Sequence, residues 1–399
     1  MPVFEKYPDG LTAGKKTVLG LQHTFTMFGA TVLVPIITGL DVSVALFMSG
    51  ICTLWFHLVT KGMLPIYLGS SFAFIAPILS VSALYGIEYA RGGIVISGAV
   101  YLVVALLVYL FGAKRIISFF PAIVTGPIII IIGMMLAPVG IASASENWWL
   151  ALISFGTVAG VSVFTRGFIK VLPVLCGLVA GYLVAVVTGN VDFTPIREAA
   201  WFGFPRFALA KFSLDAIMIV APVAIATVVE HLGDMVSIRA LTGRDVFVKP
   251  GLHRTLLGDG LASSISAMFG GPANTSYSEN VGVLAITKVF NPVVMRVAAC
   301  FALLLSIIPK LGAFISTIPT PVIGGISIVL FGMIASIGAR NIVENNVDFK
   351  KSRNLLIFAV IMVLGLGLGE FRPLGLSPLA FAAIVGIVLN KLLPENTDA

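Results

Sequence analysis

Charge is what this chain has least of. Only 11% of its 399 residues are Asp, Glu, Lys or Arg, 58% are hydrophobic, and the mean hydropathy is +1.06. A soluble domain carries about 25% charged residues. So few charges cannot coat a water-exposed surface of this size, which excludes a soluble globular protein. Cysteine is scarce too. Cys52, Cys176 and Cys300 are odd in number, far apart and inside apolar runs. That excludes a disulfide framework and any metal-ligand spacing; they read as small buried hydrophobes. Walker loop, zinc spacing and nucleophile elbow are all missing. The expectation is a protein that is not an enzyme, with no ATP-driven step, cofactor or metal. The first sixteen residues are polar and mixed in charge, without the apolar core of a cleavable signal. A net charge of +7 fits basic cytoplasmic loops and not a nucleic-acid partner.

What is present in quantity is apolar length. Fourteen membrane segments are expected at roughly 16–38, 43–60, 64–85, 92–112, 116–138, 147–165, 168–188, 214–237, 255–269, 271–290, 292–309, 319–339, 353–369 and 375–392. The third and tenth are the least helix-like. With the N-terminus inside, 19 of the 25 basic residues fall on the inner side, from Lys6 to Lys391, and six, including Arg91, Arg197, Arg206 and Arg372, on the outer. That bias supports an even number of spans with both termini cytoplasmic. The longest outer connection, about 189–213, carries Trp201, Phe202, Phe204 and Phe207 among charges and suits the membrane interface. The C-terminal LPENTDA is expected to fray.

The chain also echoes itself. FPAIVTGPIIIIIGMMLA, from Phe120, resembles IPTPVIGGISIVLFGMIA, from Ile318; at an offset of 199, Gly126 meets Gly325, Gly133 meets Gly332 and Met134 meets Met333. Pro121 and Pro319 are close but out of that register. A weaker echo joins PIYLGSSF, from Pro65, to PANTSYSE, from Pro272. Seven spans in each half force opposite orientations, so the repeat is inverted, the usual layout of secondary transporters.

Carboxylates inside such a chain are costly and call for a reason. Glu230 and Asp234 lie four apart in ATVVEHLGDMVS and share a helix face. Glu230 reads as functional, against the alternative of a structural acid bonded to another helix; for Asp234 the two readings balance, because its segment is about to leave the membrane. His231 fits a proton relay or a packing histidine equally. GGPANTSYSEN is a poor membrane helix, best read as an extended stretch leading into a half-helix that starts near Ser278. Its free N–H groups would face a cavity beside Glu279. The alternative for Glu279 is an acid that only satisfies the helix dipole. YLGSSFAF is the counterpart: Gly69 with Ser70 and Ser71 permits close backbone approach, and Phe72 offers an aromatic face or simply packs. Tyr277 is a site candidate for which packing serves at least as well. Gln22 and His23, inside the first span, split evenly between ligand contact and structural bonding. Asp259, in LLGDGLASS, reads as a structural acid near a helix start or as a coupling residue. His57 and His253 read as ordinary.

ENVGVLAITK (Glu279 to Lys288) resembles the signature of the nucleobase–ascorbate transporter family. LQHTFTMFGATVLVP, YLGSSFAFIAP, EHLGDM and PGLHRTLLGDGLASSISAMFGG resemble the same family, nearly end to end. The resemblance implies an all-α polytopic fold of fourteen transmembrane segments in two inverted seven-span repeats, with short antiparallel strands in segments three and ten. It implies a core domain (residues 1–112 and 214–312), a gate domain (113–190 and 313–399) and an outer connection at 191–213. It also implies a base held between the strands and the eighth segment. Glu230 and Glu279 would take its ring N–H and carbonyl groups, and Phe72 and Ser278 would act through backbone N–H, with Phe72 packing on the ring. Ser71 and Tyr277 complete the binding candidates; Glu230, Asp234 and His23 are the proton-coupling candidates. The expected activity is proton symport, sodium being second, in the bacterial cytoplasmic membrane. A homodimer through the gate domain is left open. Glu279 before Asn280 is the uracil-like choice, whereas Asp234, where uracil permeases tend to have His, looks like purine transporters. Uracil is the first expectation and xanthine or another purine the second. An anion carrier of related fold would need a base at the half-helix starts, where this sequence has an acid.

Overall fold

In the computed structural model, which describes residues 10–394 apart from Phe168, Glu370 and Arg372, apolar runs become helices whose ends follow local signals. Lys6, Arg372, residues 1–9 of the polar N-terminal stretch and residues 395–399 of the tail lie outside the described residues. The first half runs α1 (Ala13–Thr38), α2 (Val42–Val59), β1 (Leu68–Ser70), α3 (Ile75–Tyr85), α4 (Ile87–Phe111), α5 (Ala113–Ile117), α6 (Ala122–Ser145), α7 (Trp148–Phe164) and α8 (Pro173–Val187). A short α9 (Thr194–Glu198) lies in the outer connection. The second half runs α10 (Leu214–Val220), α11 (Val223–Thr242), α12 (Leu252–Met268), β2 (Asn274–Ser276), α13 (Ser278–Thr287), α14 (Pro292–Ser306), α15 (Pro309–Ser316), α16 (Thr320–Glu344), α17 (Ser352–Gly367) and α18 (Pro378–Leu392). Thr12, Asp41, Ser213 and Ser377 cap helix starts through their side chains, and Gly39 and Gly243, both left-handed, close α1 and α11.

Each of the fourteen segments read from the sequence holds a helix, a strand followed by a helix or, in the eighth, a broken helix, but several ends move. The fifth begins at Ala122, because Pro121 takes the N-cap, and it continues to Ser145 through two internal prolines. The seventh begins at Pro173, a favoured first helical position. The eighth breaks at Ala221 and Pro222, where the proline lacks an N–H, and then runs on to Thr242. Asp234 therefore sits two turns inside α11 and not at its exit. The twelfth extends to Glu344. By length and composition, six helices among the described residues are long and apolar enough to cross a membrane; α14 and α15, bent by 81°, make a seventh if taken as one. The exterior is apolar: Leu106, Leu110, Phe164, Val187 and Val363 are all exposed. Such a surface is solvated by lipid, not by water.

The halves interlock as matching pairs. Helix α4 packs on α12, and α2 on α14; α7 packs on α8, and α17 on α18. The centre of one set is the antiparallel pair β1–β2, with Leu68 opposite Ser276, Gly69 opposite Thr275 and Ser70 opposite Asn274. The centre of the other is α6 against α16. There a Cβ on Gly133 would meet Phe331 O and Ala335 N; Gly126 abuts Gly338 and Ile342, and Gly324 abuts Ser143 and Ala144. The offset of 199 is thus corrected by one residue: Pro121 and Pro319, both N-caps, are in register, and Gly126 matches Gly324. Gly325 packs on Ala151 of α7, and Gly332 faces open space. The extra glycine in VIGGIS misled the sequence alignment.

The connection at about 189–213 laces over the helix ends. Arg91 donates to Ala208 O (2.8 Å), and Ala210 N donates to Met268 O (3.1 Å). Lys211 pairs with Glu88 (3.1 Å), which holds its ammonium above the ordinary lysine range. Trp201, Phe202 and Phe204 stay exposed, with Lys310 lying 4.3 Å over the Trp201 ring.

Candidate functional site

Strands of three residues can pair only briefly, so most of their backbone groups need partners elsewhere. Neighbouring helices supply them. From α2, Thr53 Oγ1 accepts from Leu68 N (2.9 Å), Ser49 Oγ donates to Leu68 O (2.7 Å), and His57 Nε2 lies 2.9 Å from Ile66 O. From α12, Asp259 Oδ2 accepts from Ser276 N (2.9 Å), Ser263 Oγ donates to Asn274 O (2.7 Å) and Ser266 Oγ to Pro272 O (2.6 Å). Sequence reasoning passed over Ser49, Thr53 and Ser263 and took His57 as ordinary. The signal was present: polar side chains recur every four residues along one face of an otherwise apolar helix. Asp259, expected near a helix start, stands in the middle of α12, fully buried.

Beyond the crossing, each strand runs into a helix start. After β1, Ser71 N donates to Ala273 O (3.0 Å), and Phe72–Phe74 forms a tight turn that continues as α3 and touches α11. Ser71 Oγ is buried, caps nothing and has no partner. After β2, the first helical bond of α13 runs from Val281 N to Tyr277 O. The N–H groups of Ser278, Glu279 and Asn280 therefore lack helix partners. Tyr277, buried, does not cap them, whereas the Glu279 carboxylate lies against its own backbone N–H.

Three acids face this start. Glu230 is half-buried on α11, Asp234 is buried one turn on, and Glu279 is exposed to the space between the helices. The charges of Glu279 and Asp259 reach Glu230, and those of Glu230, Glu279 and Asp259 reach Asp234. Among the described residues, no lysine or arginine charge acts on these three acids. Ser278 Oγ donates to Asp234 Oδ1 at 2.6 Å, while Asp234 Oδ2 has no partner. Ser278 was expected to act through its backbone; its hydroxyl also ties α13 to α11. The fold thus gathers Glu230, Asp234, Ser278 and Glu279, with Ser71, Phe72 and Tyr277 on the two strand exits. His23 stands apart: it is buried in α1, its Nδ1 has no partner, and no interaction links it to the acids. No group of three His, Cys, Asp or Glu side chains among the described residues is arranged to hold a metal.

A cavity of about 370 Å³ starts at Ala73, next to Phe72, and follows one face of α3 to Leu84. Its opposite wall is Ile132 and Leu136 of α6, and Ser377 to Leu379 at the start of α18 close one end. None of the acids lines it. Backbone donors, carboxylate acceptors and an aromatic face together suit a flat, neutral ring bearing N–H and C=O groups.

Among solved structures, the transmembrane domain of a cyanobacterium bicarbonate transporter, BicA, has a TM-score of 0.64 at 14% identity, covering 94% of this chain and 96% of that one. That likeness shows the fold, that of a helical membrane transporter. A family model described as the permease family matches residues 14–371. The uracil permease of Bacillus caldolyticus is 42% identical over 409 residues, 98% of this chain and 95% of the relative. The uracil permease of Bacillus subtilis (strain 168) is 41% identical over 402 residues, 95% and 92%. The chain belongs to this permease family, the nucleobase–ascorbate transporters, and is an integral membrane transporter, not an enzyme.

Proposed function

We propose that the chain imports a nucleobase, uracil first, together with a proton, by alternating access across the bacterial cytoplasmic membrane. The observation that carries this reading is the meeting of Glu230 and Glu279 at the start of α13, directly beyond the paired strands. The near full-length likeness to uracil permeases gives the substrate class. Glu230 takes a proton and then the base; Glu279 and the N–H groups of α13 hold the other polar edge, with Phe72 against the ring. A protonated acid is a donor and no longer carries a charge across the bilayer. The set α1–α4 with α10–α14 then moves against α6–α8 with α16–α18. The matching packing pairs support fourteen spans in two inverted repeats, and the basic residues support cytoplasmic termini.

Asp234 favours a second reading, xanthine or another purine, because an acid at this point of EHLGD resembles the purine-transporting members of the family. An anion substrate is disfavoured: α13 starts with an acid, and no cation stands by it. Binding of uracil, xanthine, uric acid and adenine to purified protein tests the substrate; uracil alone saturating at low concentration is expected, and a purine preference overturns it. Uptake into vesicles should stop accumulating when the proton gradient is collapsed. Accumulation that survives and follows sodium rejects the proton.

A further inference from the structure

We propose that His231 is a positioning residue: an imidazolium donating from both ring nitrogens, it fixes strand β2, through Asp259, between α11 and α12 and carries no transported proton. The inference deepens the proposed function and rests on it only for the substrate. His231 is buried in α11, and both members of the His231–Asp259 pair have fully buried side chains. Its Nδ1 lies 2.9 Å from Asp259 Oδ2, and a ring nitrogen and a carboxylate oxygen at that distance need a proton between them. Its Nε2 lies 2.8 Å from Thr255 Oγ1. Thr255 has one hydroxyl proton, and Leu252 O, 3.0 Å away, can only accept it. With that proton given to Leu252 O, the Thr255 oxygen is left as an acceptor toward His231, and Nε2 is its donor.

Asp259 is filled from the other side. Ser276 N donates to its Oδ2 at 2.9 Å, and Ser276 Oγ reaches both carboxylate oxygens at 3.1 and 3.2 Å. Every polar atom of the imidazole and the carboxylate thus has a partner, and the pair is neutral as a unit. A neutral histidine in its place would leave the negative charge of Asp259 uncompensated deep in the protein. The other titratable groups facing this cluster are Glu230 and Asp234 on α11, Glu279 on α13 and Tyr101 on α4. The three acids differ from Asp259 in one respect: none has an ionic partner. Proton exchange during transport falls to them, while the His231–Asp259 proton stays in place and keeps Ser276, and so the start of α13, at a fixed distance from Glu230.

The test uses the full chain in detergent, labelled with ¹⁵N-histidine. Of the four histidines, the one whose signals vanish in His231→Gln should show protons on both ring nitrogens at pH 7. Should His231→Gln fail to accumulate, Thr255→Val makes the assignment by moving only the His231 signals. A neutral tautomer at pH 7 overturns the proposal. Thr255→Val should also weaken uracil binding by about threefold to tenfold, as expected for one lost hydrogen bond to a charged group, and Thr255→Ser should restore it. Unchanged binding together with unchanged His231 signals in Thr255→Val also overturns it. If no form of the protein binds uracil, the substrate reading fails and the nitrogen signals still decide the role of His231.

Discussion

The two places where the halves cross are built from opposite materials. At β1–β2 the contact is polar: backbone pairs with backbone, and serine, threonine, histidine and aspartate side chains of α2 and α12 hold the edges. At α6–α16 the contact is bare backbone and aliphatic side chain, with Gly126, Gly133, Gly324 and Gly338 letting the helices touch. The glycine seam joins two continuous helices that satisfy their own hydrogen bonds, so it needs only shape. The strand crossing breaks the membrane helix and must replace each lost bond. That replacement gathers donors and acids at the crossing, which is why the candidate site lies there and not at the seam. Polar order marks the site, and close packing marks the scaffold.

Substitutions can break this contrast. On the proposed function, Glu230→Ala and Glu279→Ala each remove a hydrogen bond to the base and leave its partner group buried and unpaired. Binding should weaken by about a hundredfold, roughly 2–3 kcal/mol, with the purified protein still monodisperse; near-normal uptake in either variant rejects the assignment. Gly133→Leu drives a side chain into Phe331 O and Ala335 N. It should cost about 1–3 kcal/mol of stability, read as a lower melting temperature, while any protein that folds still binds uracil. At the crossing, Gly69→Ala places a methyl 2.5 Å from the Tyr277 ring and 3.0 Å from Thr31 Oγ1. It should lower affinity more than stability, the reverse of Gly133→Leu, and equal losses in both would dissolve the distinction. Ser278→Ala frees Asp234 and should weaken binding only severalfold, about 1 kcal/mol. Gly332→Ala, facing open space, sets the baseline: a stability change within about 0.5 kcal/mol.

How legible this was depends on which force decided each feature. The breaks in segments three and ten were readable, because PIYLGSSF and PANTSYSE combine proline with small polar residues that cannot sustain a lipid-facing helix. The acids at 230 and 279 were readable, because an ionisable side chain in an apolar run demands a reason. Helix ends at Ala122 and Pro173 were misplaced by hydropathy, which sees lipid solubility and not N-caps. The echo between the stretches from Phe120 and Ile318 was set one residue out of the register of their two N-caps, since two adjacent glycines score alike and only packing tells them apart. Asp259 was misjudged, and Ser49, Thr53 and Ser263 were missed, because their partners are backbone atoms of strands distant in sequence. His23 remains a buried histidine whose role the geometry does not connect to the acids.

The strand register has a consequence for how a ligand lies. With Gly69 paired to Thr275, Phe72 corresponds to Ser278 and Ala73 to Glu279, one residue off the echo of PIYLGSSF and PANTSYSE, which set Phe72 against Glu279. One exit carries an acid, and the other a small apolar residue that lines the cavity along α3. On the proposed function, a ring entering between them would meet a lopsided cradle and settle in one orientation only.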